Sequence, residues 1–541
     1  MPMTPGSLKL DGERQQGETV RVQNVRAATA VASVVRSSLG PIGLDKMLVD
    51  DIGEVTITND GATILSKLDV QHPAGKVLIE LSQLQDKEVG DGTTTVVLLA
   101  AELLRVGQEL INKKVHPNTV ITGFRKAGKA AIAFLKQHCA LPTKGIDRDI
   151  LTRVALTSMN SKILAPFSDI FAPMVVDACL SVTSGNKCPT SRISIVKSLG
   201  KSFPESTLIP EGLAVNNTRI SDTMPRRVEG AKVAVITFAL KRTQLPLGVQ
   251  FRLKNAENLQ KIQDEEIEQA LRMVDKIIKA GANVIFTSNT IDELCTKPII
   301  KAGAIGVRHV SDAEINMIAR ATGATIMTQI FDEDGNDTFK PEWLGECDVC
   351  EQVVVGYNEM LVLRGGKKET TASIVLRGPN TFALEEANRT LRDALSAVKR
   401  VIESHHIVSG GGAIEAALSV YLTRTATQQS GKEQVAMLKF AEALLVIPKI
   451  LANNAALDSI DVVARLRAAH NAAQEANELP CFASLNLETG EVRNGIEAGV
   501  IEPGMSKVKS IQFATEAAIT ILRIDDLIKV KPPEKKKGEE D

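Results

Sequence analysis

The pattern of apolar and polar positions predicts that both ends of the chain are mainly helical. Apolar residues recur at helical spacing over five stretches, at about 21–38, 74–89, 93–113, 118–139 and from 381 onward. A Gly-Pro stop in "LGPIG" ends the first stretch. Two short runs joined around 51–53 predict a β-hairpin before the second.

The middle of the chain has a different pattern. From about 231, short β-rich runs alternate with helices, in the order "AKVAVITF", "GANVIFTS", "AIGVRHV", "GATIMTQI", "EQVVVGY" and "EMLVLRGG". Strands that alternate with helices of ten or more residues predict a separate α/β domain. Within it, the charged stretch 255–280 predicts a surface helix with i,i+4 charge pairs.

Two breaks and a charged tail mark the C-terminal part. "VSGGGA" and the hairpin-like "ASLNLETGEV" interrupt its helices. The tail from about 531 is charged, contains proline and lacks apolar residues that could pack. It is therefore predicted to be disordered.

Composition narrows the class of protein. At 541 residues the chain is too long for one core, and we expect about two to four domains. Apolar residues make up 44% and charged residues 24%, which is the balance of a soluble globular protein. The net charge of −1 argues against a general nucleic-acid or membrane-surface role. No apolar run approaches the roughly 20 residues of a membrane span, and nothing resembles a signal peptide.

Cysteine and histidine give little support for a metal site. The seven cysteines are scattered, which indicates reduced thiols in the cytosol. Cys347 and Cys350 form one C-x-x-C, but no second pair or suitable histidines follow, so two ordinary thiols on a loop are favoured over a zinc or redox site. His405 and His406 are adjacent, so we expect them on different faces of a helix in structural roles.

The clearest chemical signal is the junction "KEVGDGTTTVVLLAAELL" at 87–104. Two glycines around Asp91 and then three threonines stand directly before an apolar helix, although glycine and threonine are poor helix formers. Such a turn leaves backbone N–H groups free at a helix N-terminus, where the helix dipole favours an anion. Asp91 would repel a phosphate unless Mg²⁺ lies between them. The alternative is a plain turn with Asp91 or Thr93 as N-cap, and the order of a Walker A loop is absent.

Three further turns have the form of ligand-binding turns. Gly40 and Gly43 in "SSLGPIGLDKML" follow a helix in a tight turn that could approach a ligand closely. Asp60 in "TITNDGATIL" stands at a strand end, directly before a glycine and another helix. Gly410–Gly412 in "VSGGGAIEAAL" begin a helix and could form a second nest for phosphate or sugar. Each turn alone is a common feature.

Taken together, the motifs LGPxG, TNDGATIL, GDGTTT and GGGA in this order resemble the chaperonins over essentially the whole chain. "SSLGPIGLDKM", "ITNDGATIL" and "LQDKEVGDGTTT" resemble the archaeal and eukaryotic branch, group II, and the sequence is most similar to the alpha-subunit group of the eukaryotic cytosolic chaperonin TRiC/CCT. The chain departs from the family pattern at "NAALD", where Ala456 replaces a usual glycine.

This resemblance implies a multidomain α and α/β chaperonin fold. It has a mostly helical equatorial domain, a small intermediate domain and an α/β apical domain whose helical protrusion acts as a lid. The implied boundaries are equatorial at 1–147 and 405–541, intermediate at 148–217 and 372–404, and apical, substrate-binding, at 218–371. Hinges are expected near Gly145, at Arg364–Gly366 and at 404–410.

The resemblance also implies an ATP site that uses Mg²⁺. Asp91 would hold the metal, and Asp60 and Asp393 would position the attacking water. Asp393 would come from the intermediate domain, so hydrolysis would require a hinge closure. The other implied nucleotide contacts are Gly40, Gly92, Thr93, Thr94, Thr95, Ser161, Lys162, Gly411, Gly412, Leu487, Glu502 and Lys507.

Individual roles follow from the same resemblance. Gly92 and the three threonines would hold the β and γ phosphates, and Ser161 and Lys162 would reach the phosphates from the intermediate domain. Glu502 would bond the ribose hydroxyls. Leu487 and Lys507 would flank the adenine.

The implied activity is ATP-dependent protein folding in the cytosol. Paralogous subunits would form a hetero-oligomeric double ring that captures non-native polypeptides, such as actin and tubulin for the family, with no nucleic-acid or membrane partner. The residues alone leave two other classes open. A small-molecule kinase or ligase should show a substrate constellation beside Asp91, and a nucleotide-binding scaffold without turnover would not need Asp60 and Asp393.

Overall fold

The structure is a computed structural model that describes residues 12–143, 147–242, 256–330, 339–356 and 358–530. Two predicted features lie outside the described residues: the hinge at Gly145 and the tail from about 531.

Sixteen helices are found in the described residues. The first eight are α1 (Glu18–Arg36), α2 (Gly61–Ser66), α3 (Pro73–Glu88), α4 (Thr93–Asn112), α5 (Pro117–Phe134), α6 (Arg148–Met159), α7 (Ser168–Val182) and α8 (Ala256–Lys279). The others are α9 (Glu293–Lys301), α10 (Asp312–Thr322), α11 (Thr381–Ser404), α12 (Ala413–Thr427), α13 (Glu433–Leu444), α14 (Val446–Asn454), α15 (Ser459–Glu475) and α16 (Gly504–Leu522).

Nineteen strands accompany them in the same residues. The first ten are β1 (Gly12–Gln16), β2 (Lys46–Val49), β3 (Val55–Thr58), β4 (Leu141–Pro142), β5 (Ile193–Leu199), β6 (Thr207–Ile209), β7 (Gly212–Val215), β8 (Arg227–Ile236), β9 (Val284–Thr287) and β10 (Ile305–Val307). The others are β11 (Ile326–Met327), β12 (Gly345–Val355), β13 (Asn358–Gly366), β14 (Ala372–Gly378), β15 (His406–Ser409), β16 (Ala483–Leu485), β17 (Val492–Asn494), β18 (Ile501–Pro503) and β19 (Asp526–Val530). The predicted elements are confirmed, including the β2–β3 hairpin and the alternating strands after 231.

The chain divides into two compact units, Met1–Ala165 with Ser404–Asp541, and Pro166–Glu403. The first unit is built around α4, which packs against α1, α3, α13 and α16. Leu98, Leu99, Leu103 and Leu104 of α4 are all buried, because this helix is apolar on nearly every side and needs neighbours all round it. The burial fixes the N-terminus of α4, where the three threonines stand.

The second unit contains two sheets. The larger has the strand order β10-β9-β8-β12-β13-β7, with β11 also paired to β8. The pairs of β8 with β9 and β11, and of β9 with β10, are parallel, and the others are antiparallel. The smaller sheet has the order β5-β14-β6. The edge strand β7 belongs to the larger sheet but lies before residue 218, where the apical domain was predicted to begin. The division into three domains stays a prediction.

The structure corrects two statements about cysteine and histidine. Cys347 and Cys350 lie in strand β12 with buried side chains, not on a loop, and burial raises the pKa of the Cys347 thiol to about 12. Among the described residues, no group of three or more His, Cys, Asp or Glu could hold a metal ion. His405 and His406 are not in a helix, because α11 ends at Ser404 and the chain turns there through a left-handed His405 (φ 55°) into β15.

One segment is more apolar than the sequence analysis expected. The 18 residues 165–182, which contain α7, have a mean hydropathy of 1.4 and are long enough to cross a membrane by length and composition. Core helices of soluble proteins pass the same test, and 44% of this window is buried within the protein, so the segment is weak evidence for a membrane span.

The larger sheet predicts a fragment that folds alone. Residues 211–371 contain all seven strands of this sheet. Leu213 and Val215 of its edge strand β7 are buried in the hydrophobic core. We expect this fragment to unfold cooperatively by circular dichroism in denaturant. A matched fragment, 218–371, lacks β7 and should be less stable by about 3 kcal/mol, because it exposes the side of β13 that those side chains cover. A molten, protease-sensitive longer fragment would contradict this prediction.

Candidate functional site

The turn before α4 keeps backbone N–H groups free, as the sequence predicted. Gly90 (φ 77°) and Gly92 (φ 76°) are both left-handed, a conformation that glycine adopts without steric cost. Gly92 is the N-cap of α4 and no side chain caps this helix, so the alternative of Asp91 or Thr93 as N-cap is wrong. Asp91 Oδ1 instead accepts the N–H of Gly92 at 2.7 Å. The first N–H groups of α4 and a half-buried carboxylate therefore lie side by side.

Two neighbouring helices hold this turn in place. Gln85 on α3 donates from Nε2 to the Asp91 carbonyl oxygen at 2.9 Å and to Ser510 Oγ on α16 at 3.2 Å. A Cβ on Gly92 would lie 3.2 Å from that Ser510 oxygen and 3.3 Å from Ser506 Oγ. The sequence analysis did not single out Gln85, and a buried amide in an amphipathic helix carries no motif that would have identified it.

Asp60 connects the N-terminus of α2 to the N-terminus of α4. It is the N-cap of α2, and its carboxylate accepts hydrogen bonds from the N–H of Ala62 at 3.3 Å and the N–H of Thr63 at 2.9 Å. The hydroxyl of Thr93, at the start of α4, donates to Asp60 Oδ1 at 3.1 Å. Gly61 permits this approach, because a Cβ there would lie 2.4 Å from Thr94 Oγ1.

A basic residue lies next to Asp60. Asn59 Nδ2 donates to the Ser161 carbonyl oxygen at 3.1 Å, which ties the "MNSK" turn to the end of β3. Burial acts to raise the pKa of Asp60, but the Lys162 charge and the hydrogen bonds from Thr63 and Thr93 outweigh it and hold this pKa below its usual value. Ser161 and Lys162 belong to the first unit, together with Asp60 and α4.

The second glycine turn forms the other end of the site. Strand β15 lies between β4 and β18, and the N–H of Gly410 donates to the Val500 carbonyl oxygen at 3.0 Å. Gly411 and Gly412 are left-handed, and Gly412 is the N-cap of α12 without a side-chain cap. The carbonyl oxygen of Gly411 accepts the N–H of Leu485 at 3.2 Å, which places the β16–β17 hairpin, and with it Leu487, beside this turn.

Helix α14 lies against two of the predicted glycines. A Cβ on Gly40 (φ 91°) would lie 2.5 Å from Leu451, and one on Gly412 would lie 2.9 Å from Pro448. Ala456, just after α14, has φ 56°, and this left-handed conformation explains why glycine is usual at its position.

Glu502, Lys507 and Glu415 form a buried charged cluster at the second turn. Lys507 Nζ lies 2.8 Å from Glu502 Oε2 and 2.9 Å from Glu415 Oε1. Burial would lower the pKa of Lys507, but the two carboxylates raise it above its usual value. Burial raises the pKa of Glu502; Lys507 opposes this increase, and Glu415 and Asp91 add to it. Ser506, whose Oγ would lie 3.3 Å from a Cβ on Gly92, and Lys507 are neighbours on α16, so the two glycine turns lie near each other in the first unit.

The first unit thus brings together the predicted residues from both ends of the chain. Asp393 lies on α11 in the second unit and is half-buried, and its meeting with this site stays a prediction. Two residues that the sequence analysis missed border the site. Glu415 is buried in the first turn of α12, and the pKa of Asp86 is raised by burial and by the charge of Asp60.

Chemically, the site offers anion-binding N–H groups at one end and carboxylates at the other. The uncapped start of α4 suits phosphate, with Asp91 beside it for a cation. Carboxylate acceptors such as Glu502 suit hydroxyl donors of a sugar. The arrangement fits a nucleotide that extends from the first turn to the second.

The comparisons with known proteins agree with this geometry. The family described as TCP-1/cpn60 chaperonin matches residues 31–532. T-complex protein 1 subunit alpha of Tetrahymena pyriformis is 48% identical over 97% of this chain and 98% of its own length. The protein of the same name from Arabidopsis thaliana is 47% identical over the full length of both chains. Thermosome subunit beta of Archaeoglobus fulgidus is 39% identical over 98% of this chain and 96% of its own. The resemblance found from the motifs is confirmed.

Because Gly61 lies so close to Thr94, we expect that adding one methyl group at Gly61 disturbs the start of α4. Gly61→Ala should destabilise the first unit by about 1–3 kcal/mol and weaken anion binding, because its Cβ would force Thr94 and the start of α4 to shift. Gly504→Ala is the matched control. Gly504 is also the first residue of a helix, and its added Cβ would meet its nearest neighbour at an ordinary 3.5 Å. Denaturant unfolding and nucleotide titration measure both effects, and equal behaviour of the two variants would contradict the prediction.

Proposed function

The chain belongs to the TCP-1/cpn60 chaperonin family, and we propose that it is an ATP-hydrolysing subunit of a group II double-ring chaperonin. In this function the ring captures non-native polypeptides and folds them in a chamber that closes on ATP hydrolysis. The observation that carries the proposal is the uncapped N-terminus of α4 beside Asp91, joined to α2 through Asp60. It is the geometry expected of a phosphate site with a carboxylate for a metal.

The residues fit a magnesium ion held jointly with phosphate. Mg²⁺ in phosphate sites is usually bound by one or two carboxylates, with water and phosphate oxygens as its other ligands. Asp91, beside the first N–H groups of α4, would be such a carboxylate. The bound ion would neutralise phosphate charge.

The chain's own groups then have distinct roles. The N–H groups at the start of α4, with Thr94 and Thr95, bind the β and γ phosphates, and Lys162 adds a positive charge. Asp60 stays ionised because Lys162, Thr63 and Thr93 lower its pKa, so it can accept a proton or orient a water molecule. Asp393 would complete the water-positioning pair from the second unit.

At the other end, Glu502 bonds the ribose hydroxyls, and Gly40, Gly411, Gly412 and Leu487 surround the nucleoside.

We further propose that paralogous subunits complete a hetero-oligomeric ring in the cytosol, and that its substrates include actin and tubulin. The names of the chain's relatives, such as T-complex protein 1 subunit alpha, support the ring, and actin and tubulin follow from the family resemblance alone.

The assignment of Asp91 predicts a specific loss of metal dependence. Asp91→Ala should leave the fold intact, because the half-buried side chain contacts the adjacent Gly92 N–H, and the backbone carbonyl oxygen that Gln85 holds is unchanged. MgATP should bind more weakly, and the difference between affinities with and without Mg²⁺ should shrink. Calorimetric titration on folded protein measures both. A Mg²⁺ dependence equal to that of the unchanged protein would refute the assignment.

The assignment of Asp393 predicts that binding and turnover separate. A positioned carboxylate is typically worth about 10² to 10⁴ in rate, so Asp393→Ala should lose most hydrolysis while ATP affinity stays near normal. Asp177→Ala, on α7 of the same unit, serves as a control that should leave turnover unchanged. Single-turnover hydrolysis and equilibrium binding should be measured on the same homo-assembled preparation. Loss of binding in step with turnover would make Asp393 a structural residue.

A further inference from the structure

The buried cluster at the second glycine turn holds one cation between two carboxylates. Lys507 retains only 9% of its side-chain exposure, Glu415 5% and Glu502 21%. A buried ammonium is tolerated only when it is paired and hydrogen-bonded, and here it is paired on two sides. The three residues come from α16, α12 and β18, so the cluster connects three elements of the first unit.

The cluster orients the Glu502 carboxylate. Its Oε2 is tied to Lys507 at 2.8 Å, while its Oε1 points to the glycine turn, where a Cβ on Gly410 would lie only 2.6 Å from it. One oxygen is therefore fixed and the other is presented at the turn. Glycine at 410 is required for this arrangement, because any side chain would displace that oxygen.

Glu415 binds the same Lys507 ammonium that holds Glu502. Its Oε1 binds Lys507 at 2.9 Å from behind the glycine turn, in the first turn of α12. Its own Oε2 is buried without a hydrogen-bond partner in the described part of the chain. Such a group is costly to bury, and its contact with Lys507 is what fixes the ammonium in place.

We propose that Lys507 and Glu415 are positioning residues: Glu415 anchors the Lys507 ammonium, which holds the Glu502 carboxylate in the orientation that binds sugar hydroxyls. The two residues set the preference for ribonucleotides over deoxynucleotides without touching the ligand. In this role Lys507 acts through Glu502 instead of contacting the adenine. The inference rests on the proposed nucleotide site.

The electrostatics of the site require such an anchor. Glu502 lies in a region that also contains the carboxylates of Glu415 and Asp91, and burial and both neighbours favour its neutral form. Without a cation, the carboxylate would take up a proton or turn away, and either change removes an acceptor from the sugar. Lys507 is the ammonium that prevents both.

The test compares ATP with 2′,3′-dideoxy-ATP on the full-length assembled protein. The double variant Lys507→Met/Glu415→Gln removes the cation and its anchor together, so no buried charge of the pair is left alone. Its preference for ATP should fall about tenfold, the worth of a hydrogen bond to a charged acceptor, and approach that of Glu502→Ala. Affinity for the dideoxy nucleotide should stay near that of the unchanged protein.

Lys509→Met is the matched control. Lys509 is on the same helix and is paired with Glu88 at 3.0 Å, outside the cluster, so its loss should leave the ATP preference unchanged. Lys507→Arg keeps the charge and should retain part of the preference. Circular dichroism identifies any variant that does not fold.

Different results would contradict the positioning role and the nucleotide site itself. A double variant that keeps the full preference, or that weakens both nucleotides equally, would overturn the positioning role. If Glu502→Ala keeps the preference while the unchanged protein binds ATP, this inference fails and the nucleotide site stands. If the unchanged protein binds neither nucleotide, the proposed function itself fails.

Discussion

The burial of α4 is the constraint on which the first unit depends. A helix that is apolar on nearly every side is unstable when exposed to solvent. Four helices, α1, α3, α13 and α16, therefore pack around it. Its N-terminus is then fixed to within the tolerance of core packing. The Asp60–Thr93 hydrogen bond and the close approach at Gly61 attach α2 to the same point. The packing of α4 therefore positions the site, and contacts such as that of Gln85 with the Asp91 carbonyl oxygen hold the turn in place.

The sequence predicted most of the fold because the periodic patterns were long. The helix at 93–113, for example, was found almost to the residue, since its apolar run and its glycine turn both marked the boundary. His405 and His406 were wrongly placed in the helix, although a hinge was expected at 404–410. A left-handed His405 ends the helix there, and residue type alone does not show where the chain adopts this conformation. Cys347 and Cys350 were placed on a loop, yet they lie in the paired strand β12 with buried side chains.

For the site, motifs located the glycine turns and the carboxylates but not the groups that hold them. Gln85 contacts Ser510 and Glu415 contacts Lys507, both pairs being distant in sequence, and only the folded structure reveals such contacts. Lys507 is expected beside a base, which stays a prediction, and its pairing with two carboxylates was not foreseen. Spacing along the chain identifies which backbone can approach a ligand; it does not identify which charges neutralise one another in the interior.

The first unit is assembled from both ends of the chain, and this order has a consequence for synthesis on the ribosome. A nascent chain that has emerged as far as α4 already carries Asp60 and Asp91, but Gln85 lacks Ser510, and Glu502 and Lys507 do not yet exist. The proposed nucleotide site is therefore among the last features to form during translation. Bound nucleotide would stabilise only complete chains, and truncated products would lose that stabilisation and be exposed to proteolysis.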